Sequence, residues 1–175
     1  MMGDMAPTLP RQVRRDIARE HGERVLAAQQ DLRGAWQLGT DAALHLDLGD
    51  GDRRRIPWER VESLAWDAEA STVTVLTADE GALRRDVVTL EGSGRLVELA
   101  RERVDASILA RAHQRVGDGR DAVTVVARRS PTRQGPVTFS YLLDRGLSSE
   151  DAAVKEATAR ALAVVRSDLG LASDD

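Results

Sequence analysis

Cysteine is absent from this 175-residue chain, which removes disulfides, thiolate metal sites and cysteine nucleophiles together and suits a reducing cytoplasm. Lysine is almost absent as well. Lys155 is the single lysine among 25 basic residues, a skew that GC-rich codon usage produces and that points to a high-GC bacterium. No stretch approaches the roughly 18 uncharged apolar residues of a membrane span, and Met1 to Pro10 lacks a basic region followed by an apolar run. Neither membrane spanning nor secretion is expected, and the chain reads as cytoplasmic. Catalytic signatures are missing too: there is no HExxH, no Gly-x-Ser-x-Gly and no glycine-rich phosphate loop with its Lys-Ser. The expectation is a non-enzymatic protein with no cofactor.

What is present is enough chain to bury a real core, with a net charge of −4 spread unevenly. Residues 106–147 carry seven basic and three acidic groups and are the only basic segment; residues 61–105 carry five and ten. Gly3, Pro7 and Pro10 mark a tail, and Val13 and Ile17 lie four apart among arginines, predicting a short amphipathic helix over 11–20.

From residue 24 the apolar period falls to two. Strands are predicted at 24–32, 35–40, 43–48, 53–57, 61–67, 72–77 and 85–90, with Gly49-Asp50-Gly51-Asp52 as the strongest hairpin turn. Gly92-Ser93-Gly94 ends the run, and Ser93 is placed to cap a helix reaching about 103. Strands at 107–116, 122–129 and 137–144 follow as a second antiparallel unit. Ser148-Ser149-Glu150-Asp151 then opens a helix whose stripe of Val154, Ala161, Leu162, Val165 and Leu169 ends at Gly170.

Seven short antiparallel strands followed by one helix is the element order of pleckstrin-homology-like barrels, and residues 24–104 are similar to it. The run 53–57, followed by Trp58-Glu59-Arg60-Val61 and Leu64-Ala65-Trp66-Asp67, resembles a stretch of uncharacterised actinobacterial proteins carrying such a domain. Arg101-Glu102-Arg103-Val104 and Val126-Ala127-Arg128-Arg129 resemble the same group. The resemblance implies an α+β fold: a PH-like antiparallel β-barrel of about seven strands with a capping helix, then a three-stranded antiparallel unit and a C-terminal helix. The implied division is 1–23, 24–105 and 106–175. That fold hosts lipid binders, peptide binders and scaffolds, so it does not carry a function with it. Lipid-binding members use several basic residues between the first two strands; here the loop Asp31-Leu32-Arg33-Gly34 has one, which argues against phosphoinositide binding.

The remaining chemistry is arginine. Arg53, Arg54 and Arg55, then Arg84-Arg85, then Arg128, Arg129 and Arg133 are clustered in sequence, but neighbours on a strand point to opposite faces. Such runs protect solvated edges, or present guanidinium forks to a partner. Trp58, following Pro57 at a strand end, is expected partly exposed beside Arg60; the other tryptophans with Phe139 and Tyr141 read as core. His45, alternating with Leu44 and Leu46, is expected on the solvent face. Candidate partner-binding residues are therefore Arg53, Arg54, Arg55, Trp58, Arg60, Arg128, Arg129 and Arg133. The leading expectation is a protein-interaction or scaffold module using a strand edge or groove; the alternative is a nucleic-acid accessory protein using 106–147. An enzyme site from scattered residues such as His113 and Asp144 is the third.

Overall fold

The computed structural model describes residues 8–79, 82–132 and 135–171, and these form ten strands in three antiparallel sheets with three helices. Every expected element is present, the largest boundary shifts falling at the seventh strand and the last two helices. The chain divides into two compact units: residues up to 106 together with 130–133, and residues 107–129 together with 134–175. Expected site residue Arg133 lies outside the described residues.

In the first unit, helix α1 (Arg11–His21) ends at Gly22, whose φ of 64° turns the chain out of the helix while its N–H closes onto Ala18 O at 2.9 Å. Strands β1 (Val25–Gln30), β2 (Trp36–Thr40), β3 (Ala43–Gly49) and β4 (Asp52–Pro57) make a four-stranded meander. Asp50 and Gly51, both at positive φ, form the two-residue β3–β4 loop, the backbone pattern that matches strand twist. A single 3₁₀ turn, Trp58–Arg60, leads into the second meander, β5 (Val61–Asp67), β6 (Thr72–Asp79) and β7 (Ala82–Thr89). Helix α2 (Gly94–Ser107) follows.

One core joins these elements: Leu44, Leu46 and Ile56 from the first sheet, Val73, Val75 and Val88 from the second, and Leu96, Val97 and Leu99 from α2. The sheets are not closed into a barrel; a bridge between Asp31 and Leu90 and the Leu32 N–H to Thr89 O bond (3.1 Å) link the end of β1 to the end of β7. Inside, Arg54 of β4 pairs with Asp86 of β7, so a charge turned inward on one sheet meets its counter-ion on the other. Alternation along β4 thus separates the arginines, with Arg54 on the core side and Arg53 and Arg55 on the outer face.

Trp58 overturns an expectation. It has no exposed surface, and its indole Nε1 donates to Thr40 O at 3.0 Å. The 3₁₀ turn after Pro57 carries the ring inward, and a buried indole must find an acceptor, which the end of β2 supplies. It is a core residue with nothing to offer a partner directly.

In the second unit β8 (Ile108–Arg115), β9 (Ala122–Arg128) and β10 (Thr138–Leu143) form a sheet in the order β10-β9-β8. Helix α3 (Ala152–Asp168) packs Val154, Ala157, Ala161 and Val165 on Ala112, Val123, Val125 and Ala127. The helix starts at Ala152 instead of 148, because Ser148 Oγ accepts the Glu150 N–H (3.2 Å) and holds a turn before it. It ends with Gly170 at φ 64° and the Leu171 N–H on Arg166 O, a Schellman closure. Among the described residues no helix is long and apolar enough to cross a membrane.

Gly39 of β2 tests the packing. A Cβ there would sit 2.6 Å from Leu99 Cδ2 and 3.2 Å from Leu96 Cδ1, so α2 rests directly on the β2 backbone. Gly39→Val is expected to destabilise the protein by about 1–3 kcal/mol, read as a lower midpoint in urea unfolding.

Candidate functional site

The outer face of the first sheet carries Trp36 and Leu38 of β2, His45 and Asp47 of β3, and Arg53 and Arg55 of β4, placed side by side by the pairings Leu38↔His45 and His45↔Arg55. Helix α1 stands over this face without any fully buried residue of its own. Between them lies an open cavity of about 500 Å³. Val13, Asp16, Ile17, Glu20 and His21 line it from α1, a spacing of three, one, three and one that places them on one helix face.

Behind the cavity wall Glu23, in the segment joining α1 to β1, carries a carboxylate with no exposed surface. Three strands supply its partners. Thr40 Oγ1 lies 2.7 Å from Oε2, His45 Nε2 lies 2.9 Å from the same oxygen, and Arg55 donates Nε (2.7 Å) and Nη2 to Oε1. Burial alone would raise the Glu23 pKa, but the hydrogen bonds from His45, Thr40 and Arg55 outweigh it and hold the carboxyl below its ordinary 4.5. For His45 burial wins: the pKa is lowered from 6.5 despite Glu23, so the ring is neutral at pH 7 and gives its one N–H to the carboxylate. His45 does lie opposite Leu44 and Leu46, but its side chain is only 12% exposed. Alternation identified the face correctly; that α1 covers that face is a tertiary fact.

A second buried network holds the β1–β2 loop. Asp31 accepts Arg33 Nε and Nη2 (2.9 and 2.6 Å), the N–H groups of Arg33 and Ala35 and the amide of Gln37, while Arg33 also reaches Asp47 O. Burial opposes this charge as well, but Arg33 and the two N–H groups keep the Asp31 pKa below 3.8. The one arginine of that loop is thus committed internally.

Of the candidate residues, Arg53, Arg54 and Arg55 all border the cavity, with Arg53 81% exposed and its Nε 3.2 Å from Asp47. Arg54 faces Asp86, and Arg60 is exposed beside a small pocket shared with Arg54 and Arg55. In the other unit Arg128 is buried with Nη1 on Ser107 Oγ (3.1 Å), while Arg129 is exposed. His113 and Asp144 do not come together. His113 Nδ1 lies 3.1 Å from Thr124 Oγ1, and Asp144 accepts the Ala122 N–H (2.8 Å), with β9 between their strands. Among the described residues no three His, Asp or Glu side chains converge as a metal ion requires.

Sequence reading placed a strand at 137–144 but missed that β10 is an open edge, and it took Tyr141 for core, whereas the ring is half exposed where the sheet ends. Thr138–Leu143 contains no charge and no proline, and Tyr141 and Leu142, on alternate faces, are 48% and 42% exposed. The other sheet edges are guarded. β4 has its arginines and Pro57, β5 has Glu62 and Asp67, β7 has Arg84, Arg85 and Asp86, β8 has Arg111 and Arg115, and β1 is tied to β7 through Asp31 and Leu90. Uncharged composition bounded by Pro136 and Asp144 was the available signal.

Searches against family models, curated proteins and solved structures found no match.

Both shifted groups on Glu23's network give the same sign of pH dependence. Because the folded pKa lies below the unfolded one for His45 and for Glu23, the unfolded state binds more protons, and stability is lost on acidification. Unfolding free energy is expected to fall as pH drops below 6.5 through His45, and again below 4.5 through Glu23 and then Asp31. His45→Asn should flatten the first limb and leave the second, as measured by urea midpoints across pH. Glu23→Ala should cost about 2–3 kcal/mol, the low side for a broken buried pair because Arg55 keeps part of its surface in water.

Proposed function

We propose that this is a non-enzymatic, cytoplasmic protein-interaction module of actinobacterial type, in which the first unit is a PH-like domain and the second presents a strand edge to an extended segment of a partner protein. The observation that carries the interaction reading is β10: a six-residue, uncharged, β-prone edge strand whose sheet neighbour is β9 alone, in a molecule whose other edges are charged or bridged. An open edge offers a row of backbone donors and acceptors, and an added strand takes affinity from these and specificity from alternate side chains. Tyr141 on the α3 side and Leu142 on the other give a partner an apolar contact on each face. In support of the PH-like reading stand the four-plus-three antiparallel order and the helix that follows it. In support of a non-catalytic role stand His113 and Asp144, each already engaged in a structural hydrogen bond.

Nucleic-acid binding keeps one favourable observation, the exposed row Arg111, His113 and Arg115 on a single face of β8. With Arg128 buried, the basic segment offers that row together with Arg120, Arg129 and Arg145 among its described residues.

Affinity purification of the tagged protein from its host, with and without nuclease, separates the two. A stoichiometric protein that survives nuclease and is lost with Tyr141→Lys, which puts a charge on the open edge, is the expected result; its retention by that variant would sink the β10 reading. Partners that vanish with nuclease, and binding that weakens steeply between roughly 50 and 200 mM salt, would favour nucleic acid instead.

A further inference from the structure

We infer that the cavity beneath α1 binds a small zwitterion whose cationic and anionic ends are separated by an apolar body. Its two walls are of opposite charge. The α1 wall presents Asp16 and Glu20 one turn apart, and the sheet wall presents Arg53 and Arg55 of β4 two residues apart on one strand face, with His45 and the single acid Asp47 of β3 beside them. Between the charged groups the lining is apolar, with Val13 and Ile17 above and Trp36 and Leu38 below. A cavity of about 500 Å³ is within the range that takes up small ligands, which are held by an apolar lining and a few placed polar groups.

The charged groups retain capacity for a ligand. Arg55 gives Nε and Nη2 to Glu23, and its Nη1 remains for an incoming anion. Arg53 is tied only to Asp47 through Nε, at 3.2 Å on the surface, and a guanidinium fork can take a carboxylate through its two terminal nitrogens. Opposite them, Glu20 has the imidazole of His21 at 4.0 Å, and Asp16 holds the side-chain amide of Gln12 at 2.8 Å and stands 3.9 Å from the exposed guanidinium of Arg19, a surface pair that a ligand cation can replace. A ligand with a single charge would satisfy one wall and strip water from the other. A zwitterion meets both. The neutral ring of His45 keeps the arginine wall from gaining a further fixed charge at pH 7, and α1, lacking a buried residue, can shift to admit the ligand.

The test uses the full chain and 4-(aminomethyl)benzoate as the probe, with 4-methylbenzoate and 4-methylbenzylamine as singly charged controls of the same body, titrated calorimetrically at low salt. The zwitterion is expected to bind about tenfold or more tightly than either control, a difference of roughly 1.4 kcal/mol. Combined Asp16→Asn and Glu20→Gln should bring the zwitterion down to the affinity of 4-methylbenzoate without weakening the latter. Arg53→Gln should weaken the zwitterion and 4-methylbenzoate but leave 4-methylbenzylamine unchanged. All three substitutions are on exposed or half-exposed side chains outside the core, so folding is retained. Equal affinity for the three compounds, a control that binds as well as the zwitterion, or no heat from the probe at about 1 mM would each overturn the inference. The β10 edge takes no part in this test, so the inference and the proposed protein interaction can fail separately.

Discussion

A carboxylate that has lost all contact with water must be given hydrogen bonds, and in the first unit the partners of Glu23 come from three successive strands. Because Glu23 follows the Gly22 turn directly, holding its side chain on Thr40, His45 and Arg55 fixes where α1 ends on the sheet. The helix itself is anchored by little else, having no fully buried residue. The gap beneath α1 follows from this arrangement. Leu38 is buried and Trp36, Val13 and Ile17 are half-buried, and with Asp16 and Glu20 also among the residues facing the sheet, the remaining space is lined by charge.

The same demand explains the arginine run. Arg53, Arg54 and Arg55 look like one basic patch in the sequence, but strand geometry sends the middle one inward to Asp86 and its neighbours outward to Asp47 and Glu23. Three consecutive cations therefore each meet a carboxylate, while Arg53 keeps most of its surface in water. Asp31 repeats the solution at the β1–β2 loop with Arg33.

Element order was legible because the apolar period changes cleanly, from helical to two at residue 24 and back at 94, and because Asp50-Gly51 and Gly170 occupy positions where positive φ is required. What could not be read was which elements cover which faces. Alternation puts His45 opposite the core residues Leu44 and Leu46, and nothing local says that α1 lies over that side. The position of Trp58 after Pro57 suggested an exposed strand end, whereas a single 3₁₀ turn reverses its direction and buries it against Thr40 O. The run Arg53, Arg54 and Arg55 was identified as of interest for a partner, but that its outer two face the acids of α1 follows only from tertiary structure.

The absence of charge on β10 gains its weight from comparison within the molecule. Edge strands are protected at some cost, since charged or proline residues add little to a sheet, and here five of six edges carry such protection or a bridge. Helix α3 packs against β8 and β9, leaving Tyr141 half exposed although it lies on the same face as Phe139 and Leu143. An apolar edge of this kind favours pairing with another strand wherever one is offered. A partner strand that paired with β10 would bury Tyr141 and Leu142 from both faces of the sheet at once, completing on one side the enclosure that β9 already has on its own.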